Sequence, residues 1–296
     1  MTLLTATGIT KKFGQQTAVD QIDLQVAAGQ LIAFLGPNGA GKSTTINMLT
    51  GTIPPTTGQI KVGDLTPQDR QYQHQLGVVF QKSVLDGQLT VWQNLNSRAQ
   101  MSGQQDFKQD NPLIVAFGLS AILNQRYQTL SGGQRRRVDI ARALIHHPAI
   151  LFLDEPSTGL DIQTRTIIWQ TLERLRQAHG LTIILTTHYL EEAEAADFVY
   201  VIDHGHIIAA DTVSRLKSQY AQNQLMIETP HPKVVLEQAQ PDWRVIEGQH
   251  SVQLAVDDEQ AAIAFLHQIQ SLVTHFEFRQ GTMDDIFMAL TGKEIR

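Results

Sequence analysis

The sequence contains no cysteine, so disulfide bonds and thiolate metal sites are excluded. Long apolar runs are also missing, because no stretch approaches the roughly 20 residues that a membrane-spanning helix needs. The amino-terminal segment lacks the basic-then-apolar order of a secretion signal. We therefore expect a soluble protein that fits a reducing compartment, and any role at a membrane would require a partner chain.

A strong net charge is absent as well. The chain has 23 basic and 29 acidic side chains, which gives a net charge of −6. Residues 1–220 carry 18 of each sign, whereas residues 221–296 carry 5 basic and 11 acidic side chains, so the negative excess lies in the tail. Neither part has the basic surplus of a general nucleic-acid binder, and we expect no nucleic acid partner.

The most informative segment is residues 35–44, LGPNGAGKST, here called the phosphate loop. It follows a short apolar run and opens a helix-forming segment, which is the strand–turn–helix context of a phosphate-binding loop. Its glycines let several N–H groups face one anion, Lys42 can reach the outer phosphates, and Ser43 can offer a hydroxyl to Mg²⁺. A glycine-rich turn without a ligand would not explain lysine and serine at this offset. The predicted nucleotide-binding residues are Gly36, Pro37, Asn38, Gly39, Ala40, Gly41, Lys42, Ser43 and Thr44.

Polar side chains follow three of the predicted apolar strands. Asp154 and Glu155 come after the apolar run 149–153, where two carboxylates are costly unless a cation or a partner compensates them. Beside a phosphate loop that cation would be Mg²⁺ on Asp154, while Glu155 would polarise the attacking water as general base. Gln81, at the end of a second predicted strand, can contact a metal or a water. His188, after a third predicted strand, can contact a γ-phosphate. Each residue also has an ordinary interpretation as a loop or structural residue.

A second anion site is predicted at residues 130–134, LSGGQ, here called the signature segment. Ser131 is a good helix N-cap, and Gly132 and Gly133 leave the N–H groups of the helix start uncovered. The same helix continues with three consecutive arginines at 135–137. We interpret these arginines as a solvated face rather than as a dedicated anion site.

The pattern of elements predicts an α/β fold with two domains. Residues 1–220 alternate strands with helices around the phosphate loop, and from about 82 to 148 helical periodicity replaces strands, which indicates a helical subdomain. Residues 221–296, entered through a polar, linker-like stretch at 222–224, follow the order βαββαβ. This order favours a small ferredoxin-like α+β accessory domain.

With these segments in place, the chain resembles the ATP-binding subunit of an ABC transporter, whose core is a P-loop NTPase fold. Residues 36–44 look like the Walker A loop, 150–155 look like Walker B, and 130–134 match the ABC signature letter for letter. A signature after a Walker A loop at this distance is far more specific than a Walker A loop alone. The remaining matches are Gln81 with the Q-loop glutamine, 157–161 with the D-loop and His188 with the switch histidine.

The resemblance implies a mechanism, a cofactor set and partners. Two ATPase subunits, here two copies of this chain, would pack head to tail and close two ATP molecules between them with Mg²⁺. Closure and reopening would move a separate integral-membrane permease, which holds the protein at the cytoplasmic face of the cell membrane. The resemblance implies that ATP is bound by Lys42 and Ser43 of one copy and by the segment Ser131, Gly132, Gly133 and Gln134 of the other. It also implies that Glu155 promotes the attack of water, that Ser43, Gln81 and Asp154 hold Mg²⁺, and that His188 steadies the γ-phosphate.

The tail resembles a narrower group, the ATPase subunits of daunorubicin-resistance-type exporters. The match lies in TMDDIF at 282–287 followed by LTG at 290–292, and it implies export of a drug, antibiotic, lipid or polysaccharide by a permease on a separate chain. Two positions depart from the family pattern. Phe13 replaces a frequent tyrosine and can still stack on adenine or act as a packing residue, and Gln93 replaces a glutamate, which removes a charge that this loop would offer to the permease.

Two other functions are compatible with the ATPase motifs. A soluble ABC ATPase that acts on ribosomes or DNA usually adds a second ATPase domain, a long coiled coil or zinc cysteines, and the sequence contains none of these. A regulatory module that holds ATP without hydrolysis would not need Glu155 and His188. For the acidic tail, a role in modulating or pairing the ATPase subunits stands against that of a solubilising appendage.

Overall fold

Strands and helices alternate along the first unit of the chain. The computed structural model describes residues 2–292, and the chain divides between Ala210 and Asp211 into two units. The strands of the first unit are β1 (Thr2–Phe13), β2 (Gln16–Ala27), β3 (Leu31–Leu35), β4 (Thr57–Val62), β5 (Leu76–Val79), β6 (Ile150–Asp154), β7 (Thr182–Thr187), β8 (Phe198–Asp203) and, except for its last residue, β9 (His206–Asp211). Its helices are α1 (Lys42–Leu49), α2 (Arg70–His74), α3 (Val91–Met101), α4 (Pro112–Ala116), α5 (Gly132–Leu144), α6 (Ile162–His179) and α7 (Leu190–Glu194), with 3₁₀ turns at Ser120–Ile122 and Tyr127–Thr129.

A six-stranded sheet forms the core of the first unit. Its strands lie in the order β5-β6-β7-β3-β8-β9, and neighbours from β5 to β8 pair in parallel. Strands β3 and β6 are buried along their whole length, as expected of apolar strands covered on both faces. Because carboxyl ends of parallel strands meet at one edge, the loops after β3, β5, β6 and β7 share that edge. The predicted α/β class is confirmed.

A three-stranded antiparallel sheet, in the order β2-β1-β4, packs against this core. Leu4 and Ile22 of the smaller sheet belong to the same buried apolar cluster as Phe34 and Phe152 of the larger one. Burial of this apolar area is the main favourable contribution to holding the two sheets together.

Helices occupy the stretch between β5 and β6. Between β5 and β6 the described chain forms helices α3, α4 and α5 and no strand. Helix α4 of this stretch begins at Pro112. Asn111 sets this start, because its Oδ1 accepts a hydrogen bond from Leu113 N at 2.9 Å.

The second unit is a four-stranded antiparallel sheet with helices. Its sheet order is β11-β12-β10-β13, and all neighbours are antiparallel. With helices after the first and third strands, this is the ferredoxin-like arrangement that the βαββαβ pattern predicts. The elements are α8 (Val213–Tyr220), β10 (Asn223–Glu228), α9 (Pro232–Glu237), β11 (Val245–Glu247), β12 (Ser251–Val256), α10 (Glu259–Gln268), a 3₁₀ turn at Gln270–Leu272, β13 (His275–Arg279) and α11 (Met283–Thr291).

The boundary between the units differs from the predicted one at 220/221. Helix α8 belongs to the second unit, where it packs against α11. The stretch predicted to be a linker is also not one, since Asn223 begins β10. Its Nδ2 donates to Asp257 O at 2.7 Å, and its Oδ1 accepts from Gly281 N at 3.1 Å.

Candidate functional site

A cavity of about 290 Å³ opens at the phosphate loop, between β3 and α1. It lies at the carboxyl edge of the parallel sheet, where ligands of open α/β sheets bind. We call it the phosphate cavity. Its lining residues are Gln16, Thr17, Ala18, Asn38, Gly39, Gly41, Lys42, Ser43, Thr44, Glu155, His204 and Gly205.

Close backbone packing explains two glycines of the phosphate loop. A side chain at Gly36 would collide with the carbonyl oxygen of Ile202 on β8. Gly41 has a φ of 107°, and a Cβ there would lie 2.7 Å from Ala18 O. Only glycine is accommodated at both positions, so the loop can turn sharply into α1 and direct its N–H groups into the cavity.

Lys42, the first residue of α1, is buried and folds back over the loop. Its Nζ donates to Gly36 O at 2.6 Å and to Pro37 O at 3.0 Å. Burial lowers the pKa of Lys42, while the nearby carboxylates of Glu155 and Asp154 oppose that shift. A flexible ammonium held over an anion-binding turn can exchange these carbonyls for phosphate oxygens.

Ser43 and Asp154 place two hard oxygens side by side. Ser43 Oγ donates to Asp154 Oδ1 at 3.1 Å, and the hydroxyl of Thr186 on β7 donates to the same oxygen. Asp154 ends β6 and is only 9% exposed. The structure therefore brings together two of the residues predicted to hold a metal, while Gln81, the third, contacts Glu155.

Two of the predicted catalytic residues, Gln81 and His188, lie next to a third, Glu155. Its Oε2 accepts hydrogen bonds from Gln81 Nε2 at 3.3 Å and from Thr158 Oγ1 at 3.2 Å. His188 Nδ1 lies 3.6 Å from its Oε1. Three side chains that come from separate loops of the sheet edge thus converge on one carboxylate beside the phosphate cavity.

The backbone of Glu155 is strained. Its φ is 45°, a left-handed conformation that residues other than glycine adopt rarely. The following Pro156 adds a steric restriction on the same residue. The amide of Glu155 is fixed from β7, because its N–H donates to Thr186 Oγ1 at 3.0 Å and to Thr186 O at 3.2 Å. Such strain occurs where a side chain has to be aimed at a particular point.

The signature segment forms a capping box at the start of α5. Ser131 Oγ accepts from Gln134 N at 3.2 Å, and Gln134 Oε1 accepts from Ser131 N at 2.9 Å. The box leaves the N–H groups of Gly132 and Gly133 at the open helix end. Among the described residues, none of the signature segment lines the phosphate cavity, although Gly132 lines a second cavity of about 320 Å³ that also reaches Glu155.

The interpretation of the three arginines as a solvated face was wrong for Arg136. Arg135 is exposed, whereas Arg136 is only 8% exposed and points into the sheet edge. Arg137 is half-buried and donates to Phe117 O at 2.8 Å. Successive helical residues project about 100° apart, so three adjacent arginines meet three different environments.

Sequence reasoning missed part of the phosphate cavity wall. Gln16, Thr17 and Ala18 begin β2, and His204 lies in the β8–β9 turn. These residues are distant in sequence, and only the turn glycine at 205 marks the second segment. Phe13 is 53% exposed at the end of β1, where its Cα partner is Gln16, and the Lys11 ammonium lies 5.3 Å from its ring centre.

Gln93 has a local structural role. Its Oε1 accepts from Thr90 N at 2.8 Å, and its own N–H donates to Thr90 Oγ1 at 3.1 Å. This capping box fixes the start of α3 without a charge at position 93.

Comparison with known proteins identifies the family. A family model described as ABC transporter matches residues 19–158, and one described as the C-terminal domain of DrrA1-3-like ATP-binding proteins matches residues 212–291. The daunorubicin/doxorubicin resistance ATP-binding protein DrrA of Streptomyces peucetius is 35% identical over 96% of this chain and 91% of its own. The chain belongs to the ATP-binding subunits of ABC transporters. A further relative, the Nod factor export ATP-binding protein I of Paraburkholderia xenovorans, is 37% identical over 97% of this chain and 96% of its own.

Solved structures agree with this family. An ATP-binding subunit of an ABC transporter matches with a TM-score of 0.68 and 27% identity over 74% of this chain and 93% of its own. A dimeric post-hydrolysis state of the cassette MJ0796, bound to ADP and Pi, matches with a TM-score of 0.65 and 25% identity over 71% of this chain and 99% of its own. The protein is therefore an ATP-binding ATPase subunit. Within residues 2–292, no helix is long and apolar enough to cross a membrane.

Proposed function

We propose that the protein hydrolyses ATP to drive export through a membrane permease on a separate chain, at the cytoplasmic face of the cell membrane. The names of two relatives, a drug-resistance ATP-binding protein and a Nod factor export protein, support export. Both are matched over nearly their whole length. The cargo class, a drug, antibiotic, lipid or polysaccharide, would be selected by the permease.

The convergence on Glu155 carries the proposal that ATP is hydrolysed rather than only bound. Its carboxylate accepts the proton of the attacking water, and Gln81 and His188 orient that water and the γ-phosphate from either side. Lys42 and the phosphate loop bind the outer phosphates, and most of the catalysis lies in positioning and charge stabilisation. Phe13, beside Gln16 at the cavity mouth, stacks on the adenine.

The residues present fit a bound Mg²⁺. Ser43 Oγ and Asp154 Oδ1 are hard oxygens 3.1 Å apart, and Mg²⁺ is held in NTPase sites by few protein oxygens together with phosphates and water. Consistent with this, the described residues contain no cluster of three or more acidic, histidine or cysteine side chains that would form an all-protein metal site. Mg²⁺ would neutralise charge on the phosphates, and Gln81 would contact it through water or directly.

The signature segment completes the site from a second copy of the chain. Its helix start, with the free N–H groups of Gly132 and Gly133, is an anion-binding feature, yet it lies outside the phosphate cavity of its own chain. A head-to-tail dimer resolves this separation, because it presents Ser131–Gln134 of one copy to the γ-phosphate on the other. Dimeric cassettes among the solved relatives support the arrangement.

The replacement Glu155→Gln tests the assignment of hydrolysis. Removing the base while keeping its hydrogen-bonding shape should lower ATP turnover about 100-fold or more, while ATP affinity is retained and an ATP-dependent dimer accumulates on size exclusion. Glu191→Gln is the matched control, since that side chain is 86% exposed on α7, and it should turn over ATP like wild type. Wild-type turnover in Glu155→Gln would remove Glu155 from the mechanism.

Affinity capture from mildly solubilised native membranes tests the transporter partner. We expect a multi-span membrane protein in stoichiometric amount, whose sequence would also narrow the cargo. Recovery of ribosomes or nucleic acid in its place would contradict the proposed export function.

A further inference from the structure

The guanidinium of Arg136, on α5, makes three hydrogen bonds to backbone carbonyls at the sheet edge. Its Nη1 donates to Phe80 O at 2.8 Å, its Nη2 to Asp154 O at 2.7 Å and its Nε to Pro156 O at 3.0 Å. The planar fork of arginine is suited to several acceptors at fixed angles, which a lysine cannot reproduce. With 8% of its surface exposed, the side chain is almost entirely enclosed by these contacts.

The three acceptors flank the residues to which the proposed function assigns hydrolysis. Asp154 and Pro156 are the neighbours of Glu155 on either side, and Phe80 directly precedes Gln81. Glu155 itself is in a left-handed conformation with a φ of 45°. Strain of this kind persists only where surrounding contacts over-determine it, and the Arg136 bonds on both sides of Glu155 supply such contacts.

The charge of a second buried side chain of α5, Asp139, opposes the lowering of the Arg136 pKa that burial causes. Asp139, one turn further along α5 and 7% exposed, accepts from Ser83 Oγ at 2.7 Å and from Tyr127 Oη at 3.1 Å. Ser83 lies two residues after Gln81, so this side chain also ties the helix to the loop after β5. Both buried side chains have hydrogen-bond partners in the loops after β5 and β6, and such contacts fix the position of α5 relative to these loops.

We propose that Arg136 is a positioning residue that sets the relative placement of Glu155 and Gln81 and links both to the signature helix. This inference rests on the proposed roles of Glu155 and Gln81. Because Arg136 lies little more than one turn from Ser131, a displacement of the start of α5 reaches the carbonyls on both sides of Glu155. Engagement of the signature segment by nucleotide on a partner copy is thereby coupled to the orientation of the hydrolytic residues.

Steady-state kinetics of Arg136→Lys test the proposal. The lysine keeps the positive charge near Asp139 but cannot donate to three carbonyls, so kcat should fall about 10- to 100-fold while the KM for ATP changes less than about threefold. Arg137→Lys is the matched control on the same helix, because its carbonyl acceptors at Phe117 and Gly118 lie in the helical subdomain. That control should retain wild-type kcat and KM.

Single-turnover hydrolysis in the Glu155→Gln background separates positioning from general weakening. If Arg136 acts through Glu155, then Arg136→Lys should add almost nothing to the loss that Glu155→Gln already causes. If the lysine variant does not fold, the double replacement Arg136→Gln with Asp139→Asn takes its place, because it removes one charge of each sign. It should show the same fall in kcat with ATP binding retained.

Three results would overturn the inference: unchanged kcat in a folded Arg136 variant, equal losses in Arg136→Lys and Arg137→Lys, or losses that multiply with Glu155→Gln. A Glu155→Gln protein with wild-type turnover would instead reject the proposed function itself.

Discussion

Burial of polar groups differs sharply between the two units. In the first unit, five charged side chains are only 5% to 9% exposed, namely Lys42, Arg136, Asp139, Asp154 and Glu192. Among residues 211–292 the buried polar residue is Thr229, and no charged side chain is buried.

The first unit therefore buries the charged residues of the candidate site, whereas the second unit is stabilised by apolar packing. Burying a charge costs several kcal/mol unless partners compensate it, and four of the five buried charges of the first unit lie around the phosphate cavity and the signature helix. The second unit holds together through an apolar cluster that includes Leu225, Trp243, Leu254 and Phe265. We therefore expect substitutions in the first unit to change ATP turnover, and core substitutions in the second to change stability.

The largest expected effect is that of Lys42→Ala on ATP turnover. Because we propose that the buried ammonium of Lys42 binds the outer phosphates, its loss should lower kcat/KM about 1,000-fold or more. The measurement is phosphate release under saturating Mg²⁺. The control is Lys61→Ala, at an exposed position on β4, and it should leave ATP turnover unchanged. A comparable loss of ATP turnover in both variants would show that buried and exposed charges do not differ in their effect on turnover.

In the second unit, Phe265→Ala should destabilise the fold without changing nucleotide affinity. Phe265 is 4% exposed and lies edge-on to Trp243 at 5.2 Å between ring centres, so its truncation should cost about 3 to 5 kcal/mol of unfolding free energy in this unit. Calorimetry reports that transition. Phe276→Ala, at a half-exposed position on β13, should cost much less. Equal costs would show that this core does not determine the unit's stability.

In the first unit, the sequence indicated the position of the candidate site but not the contacts that support it. The phosphate loop, Asp154, Glu155 and the signature segment were recognisable because their spacing is dictated by phosphate and metal chemistry and by adjacent strand ends. Arg136 was not, because helical periodicity does not tell which of three adjacent arginines faces the sheet edge.

Long-range packing explains the other differences between what the sequence predicts and what the structure shows. The division at 210/211 depends on the contact of α8 with α11, about 70 residues later, and nothing local marks it. His204 and Gln16 reach the phosphate cavity only because β8, β9 and β2 fold beside α1. The ferredoxin-like order of the second unit was predictable, since the alternation of strands and helices leaves few other topologies.

A pH-dependent stability should distinguish the first unit further. Burial lowers the pKa of His146 from 6.5 to about 4, although its hydrogen bond to Leu76 O at 2.9 Å opposes the shift. Between these two values the unfolded chain binds a proton that the folded chain does not, so stability falls as pH falls from 6.5 to 4. Because the side chain is partly exposed, we expect a loss of about 1 to 2 kcal/mol.

The measurement for His146 is urea unfolding at pH 7 and pH 5, with His146→Gln as the variant. The glutamine can still donate to Leu76 but does not titrate, so it should lose part of the acid sensitivity. His147→Gln, at the adjacent exposed position, should keep all of it. Identical pH profiles for wild type and His146→Gln would show that other groups set the acid sensitivity.

The smallest expected effect lies at the rim of the phosphate cavity. His204 lines the cavity, but its side chain is 80% exposed, so it stays hydrated and adds little to binding. His204→Ala should raise the KM for ATP at most about threefold and leave kcat unchanged, because contacts made equally in ground and transition states alter only binding. His206→Ala, in the same hairpin but not on the cavity wall, is the control. A fall in kcat for His204→Ala would place an exposed residue among those that determine turnover, and burial would no longer distinguish the two classes.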